Sequence, residues 1–422
     1  MIREKCSSGK NKWFQRFFCI MVIFLFIVPV ISSNQLQMST SKQFIQHTTK
    51  EWTILFYIAA DFGPINVDFL EHKLIHEIAS SKNINVLVLQ DLRWSPAFLY
   101  YVDDQHNMIL LEEMGEVNMG DPQTLRDFIS YGKEQYPAHR YQLCPYGHAT
   151  AWYGICPDDT SNGDSISADE LQQALRESGG VDLLSFIGCC LTGSLELVYE
   201  VKEYCDVVIA SESPGNENDW VGMFDEMCNF MSENTALSTI DCSEQIVDLI
   251  GENENEYYDT MTISSVRTDK IEDLVSSFNT LCLHLMDADD TLYEHLKSAR
   301  NNSKDFSFIR SSVLLDLGDF VKHYMQIETD TTLLQILQNL KSNLSETIIA
   351  EHHGDNQTGC TGLSVFYSSK DMLSTYANFS LDFTEDTHWD ELLNEHKEKN
   401  TYAIFVVLRE KILKTVQNIL SF

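Results

Sequence analysis

This 422-residue chain has few positive charges: 29 Lys and Arg stand against 63 Asp and Glu, which gives a formal net charge of −34. A surface this acidic repels nucleic acid and anionic membranes. The chain has no CxxC pair, which argues against a cysteine-rich zinc site, and no glycine-rich phosphate loop or internal repeat. The excess of negative charge excludes nucleic acid as a partner. Peptides or proteins remain the expected partners, and the negative charge either attracts cationic peptides or only keeps a secreted protein soluble.

The first 33 residues differ from the rest of the chain. Five Lys and Arg precede a nearly uninterrupted apolar run over 17–32. Ser32 and Ser33 then supply the small residues that a signal peptidase requires at its cleavage site. The pattern predicts a cleaved signal peptide over 1–33. The alternative is an uncleaved signal anchor, and only in that case would the protein be attached to a membrane. Either places the chain outside the cell or in the endomembrane or lysosomal lumen. Cleavage leaves 24 Lys and Arg against 62 Asp and Glu, a net charge of −38.

Nine cysteines follow the predicted signal peptide. An odd number in an oxidising compartment leaves at least one thiol without a disulfide partner. This fits one reactive cysteine whose companions are paired or buried. Four Asn-x-Ser/Thr sequons support export to that compartment, and they begin at Asn301, Asn343, Asn356 and Asn378.

The order of apolar patterns predicts an α/β protein. Residues 34–50 are polar and aperiodic and are expected to be a linker. From 51 to 235, apolar runs of strand length alternate with helical patterns, which is typical of a mostly parallel sheet flanked by helices. Residues 236–422 are predicted to be mainly helical, with a late strand near 362–367.

Two short segments carry the chemistry. Residues 146–152 (Tyr-Gly-His-Ala-Thr-Ala-Trp) and 185–193 (Ser-Phe-Ile-Gly-Cys-Cys-Leu-Thr-Gly) each follow an apolar run, with a helical pattern between them. In a parallel sheet this order brings both segments to the carboxyl ends of neighbouring strands, where ligands collect. An imidazole and a thiol at that edge predict Cys190 as a nucleophile and His148 as its base. Otherwise Cys190 is a disulfide or core thiol, and Cys189 is its competitor.

Six motifs in order, spread over about 50–370, resemble the clostripain family of cysteine peptidases in the caspase-like clan. They are the opening strand that begins at Trp52, the stretch that begins at Gly115, His148 with Trp152, the Cys190-Leu-Thr-Gly-Ser-Leu-Glu run, Ala210-Ser-Glu-Ser-Pro-Gly with Trp220, and Gly362-Leu-Ser-Val-Phe-Tyr. The resemblance implies a caspase-like fold for 51–235 and cleavage after Arg or Lys. It also implies that backbone N–H groups of Ala149 and Cys190 stabilise the oxyanion.

Three positions depart from the family pattern. Ala149 stands where the family has glycine, Gly188 where it has aspartate, and Cys189 where it has alanine. Gly188 removes a carboxylate expected near the nucleophile. An inactive secreted binding protein on the same scaffold is therefore an alternative. A peptide ligase or transpeptidase, which uses the same acyl-enzyme, is another.

The remaining candidate site residues are aromatic and acidic. Trp152 and Trp220 either line a substrate groove or belong to the core. Glu212 and Asp219 either meet a basic substrate side chain or lie on a solvated acidic loop. No cofactor is expected, although carboxylates without a calcium-loop spacing could hold calcium, namely those of Asp61, Asp158, Asp159 and Asp164.

Overall fold

Buried strands form the centre of the protein. The computed structural model describes residues 48–62, 78–215, 223–252, 260–286, 289–308, 313–368 and 372–395. The strands within these ranges are β1 (Lys50–Ala60), β2 (Ile84–Leu92), β3 (Ala97–Val102), β4 (Met108–Gly115), β5 (Ala138–Tyr146), β6 (Ile155–Asp158), β7 (Asp164–Ile166), β8 (Leu183–Ser185), β9 (Val207–Ala210), β10 (Thr262–Arg267), β11 (Asp305–Ser307), β12 (Val313–Asp316), β13 (Ile348–His353) and β14 (Ser364–Tyr367).

Helices alternate with these strands in the first half of the chain and dominate the second half. Their bounds are α1 (Pro122–Gln135), α2 (Ala168–Ser178), α3 (Leu195–Glu200), α4 (Met223–Glu233), α5 (Thr239–Gly251), α6 (Ile271–Met286), α7 (Asp290–Asn302), α8 (Leu317–Ile327), α9 (Thr331–Thr347), α10 (Leu373–Tyr376) and α11 (Asp382–Asp386). Among the described residues, no helix combines the length and apolar character that crossing a membrane requires.

Nine strands form one sheet in the order β13-β10-β9-β8-β5-β1-β2-β3-β4. The five central strands β9, β8, β5, β1 and β2 run parallel, and the outer strands are antiparallel to their neighbours. The sheet is flanked by helices, so the predicted α/β fold class with a mostly parallel, caspase-like core is confirmed.

Alternate residues of the central strands face opposite helical layers, as the two-residue period of a strand requires. From β1, Leu55 and Tyr57 enter the core that contains α1 and α2. Ile54 and Phe56 enter the core on the other face, with α4 and α5. Burial on both faces explains why the central strands have continuous apolar sequences.

The helix starts follow local sequence signals. Asp121 caps α1 by accepting from the N–H of Gln123, and Pro122 occupies the first position. Ser167 and Glu170 form a capping box at α2. These caps set where the helices before and after β5 begin, and His148 follows β5.

The second half of the chain contributes to the same sheet. Strands β10 and β13, which the sequence analysis did not predict, pair with β9 and with each other. The predicted late strand is β14, which pairs with β12. At its start, the N–H of Ser364 donates to the carbonyl oxygen of Gly193 (2.9 Å). The late strand is therefore joined to the turn that follows Cys190.

Candidate active site

Cys190 lies in the turn between β8 and α3. Its side chain is half-buried, and the N–H of Gly215 donates to its sulfur at 3.2 Å. The next residue, Leu191, has φ = 58°, a left-handed conformation that is uncommon for a branched side chain. The backbone therefore turns sharply at the position that presents the thiol.

Cys189 has a different environment from its neighbour. It is fully buried, and its thiol donates to the carbonyl oxygen of Pro145 (3.3 Å). Burial raises the pKa of the Cys189 thiol well above its ordinary value. Of the nine cysteines after the predicted signal peptide, all are free of disulfides, and Cys190 is the one that is not buried.

His148 follows β5 and is exposed. The ring of Phe62, directly beyond β1, meets the imidazole edge-on with 5.2 Å between ring centroids. Gly147 is needed just before it, because φ is 148° and a Cβ there would lie 2.7 Å from the carbonyl oxygen of Ala59. Close packing against β1 thus fixes where the histidine leaves the sheet.

The histidine and cysteine loops are direct neighbours. Strands β5 and β8 pair in parallel, with Leu143 opposite Leu184. Beyond the paired residues, the N–H of Gly147 donates to the carbonyl oxygen of Gly188 (3.4 Å). This bond joins the residue before His148 to the residue two places before Cys190.

Gly188 has no room for a side chain. Its φ is +99°, and a Cβ would lie 2.4 Å from the ring of Tyr146. Tyr146 is buried at the end of β5 and occupies the space that a side chain at 188 would need. An aspartate at this position would therefore require both a strained backbone and displacement of the tyrosine ring.

Ala149 is buried and forms an isolated antiparallel bridge with Ile155. The hydrogen bonds of this bridge run through the flanking residues, from the N–H of Cys156 to His148 and from the N–H of Thr150 to Gly154. In such a pair the amides of the bridged residues point away from each other. The N–H of Ala149 is thus directed out of the hairpin, and its φ lies outside the left-handed region.

Trp152, for which the sequence left a substrate groove and the core as alternatives, lies in the core of the structure. Its side chain is fully buried. The ring packs against aromatic residues from the late part of the chain, with centroids 5.1 Å from Tyr376, 5.1 Å from Phe379 and 5.3 Å from Phe366.

Glu212, expected either to meet a basic substrate side chain or to lie on a solvated loop, is fully buried. Its Oε2 accepts from the N–H of Gly362 (2.8 Å) and its Oε1 from the hydroxyl of Ser364 (2.7 Å). Burial, together with the nearby carboxylate of Asp316, raises the pKa of Glu212 well above its ordinary value. The carboxyl group binds the late strand, while Asp219 and Trp220 lie outside the described residues.

The acidic residues considered for calcium separate into two groups. Asp159 pairs with Arg93 at 3.3 Å, and Asp164 accepts from the side-chain amide of Asn118. Asp61 and Asp158 instead lie together, and Glu116 joins them. Asp91 is buried beside this group, and burial and the carboxylates of Glu116, Asp158 and Asp61 raise its pKa to about 8.

Phe62 and Gly215 are site contacts that the sequence analysis missed. Phe62 carried a usable signal, because it lies two residues after the end of β1 and the carboxyl ends of parallel strands share one edge. Gly215 lies 25 residues beyond the sulfur that its N–H contacts. No local pattern indicates that contact.

A family model described as the clostripain family matches residues 57–396, which is most of the chain and includes His148 and Cys190. The chain belongs to the clostripain family. Clostripain-family proteins are cysteine-type endopeptidases, and this membership supports that activity here. Clostripain of Hathewaya histolytica is 27% identical over 215 residues, which cover 40% of this chain. The match spans 39% of that protein, about two fifths of its length.

Solved structures of C11 proteases share the fold. An inactive zymogen from Parabacteroides distasonis is 18% identical and superposes with a TM-score of 0.63, covering 81% of this chain and 99% of that one. A secreted enzyme from Bacteroides thetaiotaomicron, in complex with an irreversible peptide inhibitor, is 16% identical with a TM-score of 0.59 and the same coverage. At these identities the likeness shows the clostripain-family fold alone.

Proposed function

We propose that this clostripain-family protein hydrolyses peptide bonds with a dyad of Cys190 and His148. The observation that carries the proposal is the hydrogen bond between Gly147 and Gly188, which ties the histidine loop to the cysteine loop. Cys190 is also the one cysteine after the predicted signal peptide that is not buried. A nucleophile has to be reachable by its substrate, so this exposure favours Cys190 over Cys189.

In the proposed reaction, His148 takes the thiol proton and the sulfur of Cys190 attacks the carbonyl carbon of the scissile bond. The N–H groups of Ala149 and Cys190 stabilise the negative oxygen of the tetrahedral intermediate. His148 then gives its proton to the leaving amine, and a thioester remains. Water, deprotonated by His148, attacks this thioester and restores the thiol with release of the carboxylic acid.

The departures at 149 and 188 are compatible with this reaction. Alanine retains the backbone N–H that an oxyanion contact requires, and its φ needs no glycine. At 188, Tyr146 fills the space beside the glycine. These replacements are accommodated by local packing, so they do not favour an inactive binding protein.

For specificity, we propose a basic residue before the cut, Arg above Lys, because a planar guanidinium can pair bidentately with a carboxylate. The excess of 63 acidic over 29 basic residues favours cationic substrates. Glu212 is buried and position 188 has no side chain, so neither supplies the paired carboxylate. Asp219 is the remaining candidate.

We further propose that the protein is secreted, with a mature chain that begins near Asn34. The charged head and apolar run of residues 1–33 support this, as do the sequons. The asparagines at 301, 356 and 378 are exposed, as glycan attachment requires. A secreted neighbour from Bacteroides thetaiotaomicron fits the same location.

Cys190→Ala should lower peptide hydrolysis by about a thousandfold or more, because the nucleophile is lost, with an unchanged melting temperature. Cys189→Ala is the matched control. It should retain activity and lower the free energy of unfolding by about 1 kcal/mol, since a buried, hydrogen-bonded thiol is removed. Hydrolysis rates and thermal melts of both variants distinguish Cys190 from Cys189 as the nucleophile. Loss of activity in Cys189→Ala but not in Cys190→Ala would reverse the assignment.

A positional peptide library should show cleavage after Arg and, more slowly, after Lys. Asp219→Asn should reduce kcat/KM for Arg substrates by about tenfold, because a buried guanidinium then lacks its carboxylate. Glu217→Gln, on the same acidic stretch, is the control and should change little. A preference for small, apolar or acidic residues would contradict the basic pocket and leave the dyad untouched.

Expression in a eukaryotic secretory host should release a chain whose N-terminus is near Asn34 and which carries N-glycans. N-terminal sequencing and the gel shift on enzymatic deglycosylation measure both. Retention of residues 1–33, or a product that stays in the cytosol without glycans, would refute the proposal.

A further inference from the structure

One buried carboxyl group connects the turn of residues 190–194, called the cysteine turn below, to the late part of the chain. Glu212 follows β9 and is 0% exposed. Its Oε2 accepts from the N–H of Gly362 (2.8 Å) and its Oε1 from the hydroxyl of Ser364 (2.7 Å). The N–H of Ser364 in turn donates to the carbonyl oxygen of Gly193 (2.9 Å). Glu212 therefore reaches the cysteine turn through a single intermediate residue.

Glu212 also packs directly against the cysteine turn. A Cβ at Gly193 would lie 3.0 Å from the backbone nitrogen of Glu212 and 3.2 Å from its Cγ. The N–H of Gly193 donates to the carbonyl oxygen of Ser211 (2.8 Å), and the N–H of Leu191 donates to that of Ser213 (3.2 Å). The cysteine turn is thus hydrogen-bonded to the residues on both sides of Glu212.

A second buried carboxyl group lies against the first. Asp316 ends β12 and is 0% exposed, and a side-chain hydrogen bond joins it to Glu212. Two carboxyl groups need a proton to form such a bond, because carboxylates only accept. Asp316 also accepts from the N–H of Asp319 (2.8 Å) and from the N–H and the hydroxyl of Thr361 (both 2.7 Å). Three such donors to Asp316 against two to Glu212 favour the proton on Glu212.

The surroundings of the two carboxyl groups favour retention of this proton. Burial raises the pKa of Glu212 well above its ordinary value, and the carboxylate of Asp316 raises it further. Burial likewise raises the pKa of Asp316. Among the described residues, no Lys or Arg forms a salt bridge with either group. The titratable groups on the elements packed around the two are Cys360 before β14, Glu351 with its partner His353 on β13, Asp319 in α8 and Lys304 before β11.

We propose, on the basis of the peptidase function proposed above, that Glu212 is a positioning residue for Cys190 and acts in its protonated form, hydrogen-bonded to Asp316. While the proton is present, the two carboxyl groups join the ends of β9 and β12, and Ser364 keeps Gly193 in place. When the proton leaves, two buried negative charges face each other and repel. The repulsion acts on the strands that hold the cysteine turn, because β12 pairs with β14.

The expected consequence is a loss of turnover at alkaline pH. The folded-state pKa of Glu212 is raised above its unfolded value, so the folded protein keeps a proton that the unfolded chain has lost. The stability from this group is therefore complete below the unfolded pKa and is lost as pH rises to the folded pKa. The ordered cysteine turn is lost with it. Because the change moves the sulfur of Cys190, kcat should fall more than KM rises.

Glu212→Gln tests the protonated form, because glutamine has the shape of the neutral acid, can donate to Asp316 and cannot ionise. At about pH 6.5, its kcat should stay within about threefold of wild type. Wild type should lose kcat by about tenfold or more on the alkaline side, and Glu212→Gln should move this loss to higher pH by about one unit or more. Steady-state hydrolysis of a peptide that wild type cleaves, between about pH 5 and about pH 10, measures kcat and KM.

Glu200→Gln is the matched control. Glu200, at the far end of α3, is 1% exposed and accepts from the N–H of Phe383 (3.1 Å). Burial raises the pKa of Glu200 to about 8. The control thus removes another buried, ionisable glutamate that contacts the late part of the chain, but not at the cysteine turn. Glu200→Gln should change the pH dependence of Tm and leave the pH dependence of kcat unchanged.

Ser364→Ala provides a second variant, which changes no charge and serves if Glu212→Gln fails to fold. It deletes the hydroxyl that donates to Oε1 of Glu212 and keeps the N–H that binds Gly193. The hydroxyl of Ser364 lowers the pKa of Glu212, since it stabilises the carboxylate. Its removal should therefore move the alkaline loss of kcat to higher pH.

The three variants separate the possible outcomes. If wild type hydrolyses peptides and both Glu212→Gln and Ser364→Ala keep its pH dependence of kcat, the positioning role is wrong. An equal shift in Glu200→Gln would also contradict it, because the effect would then belong to any buried glutamate. If wild type hydrolyses no peptide at any pH, the proposed peptidase function fails, and the positioning role fails with it.

Discussion

The parallel pairing of β5 with β8 is the constraint on which the site depends. Both strands lie in the middle of a sheet that is buried on both faces, so neither can slide without exposing a layer of apolar side chains. His148 and Cys190 follow these strands at the same edge. Gly147 and Gly188 then allow the two loops to approach within hydrogen-bond distance. The buried β-sheet thereby fixes the positions of the two side chains of the proposed dyad.

The second half of the chain is hydrogen-bonded to the residues at this edge of the sheet. Glu212, just beyond β9, binds Gly362 and Ser364 with both carboxylate oxygens, and Ser364 binds Gly193 in the turn after Cys190. Strands β10 and β13 extend the same sheet. The residues after 235 therefore act on the geometry of the cysteine turn, although they contribute no member of the proposed dyad.

The sequence predicted the elements whose signals are local. The central strands and the positions of His148 and Cys190 at the ends of two of them all follow from runs of fewer than ten residues. It left open whether Trp152 is a core residue and did not predict the burial of Glu212, because their partners Phe366, Tyr376, Gly362 and Ser364 come from the late part of the chain. Tyr146 beside Gly188 was missed for a similar reason: a residue absent from a motif gives no sign of which neighbour fills its space. In the sequence, Asp91 is a single polar residue at the end of a strand. Only the fold shows that Asp61 and Glu116 lie near it.

The pairing of Cys190 with His148 is the central claim, and selective alkylation tests it most directly. Folded protein with the wild-type dyad is treated briefly with iodoacetamide at pH 6.5, and labelled cysteines are mapped by mass spectrometry. Cys190 should react at least about tenfold faster than the eight buried cysteines, because a thiolate that is activated and reachable reacts first. His148→Ala should remove this advantage, while His139→Ala, which changes an exposed histidine on β5, should not. Preferential labelling of another cysteine, or an unchanged rate in His148→Ala, would contradict the account.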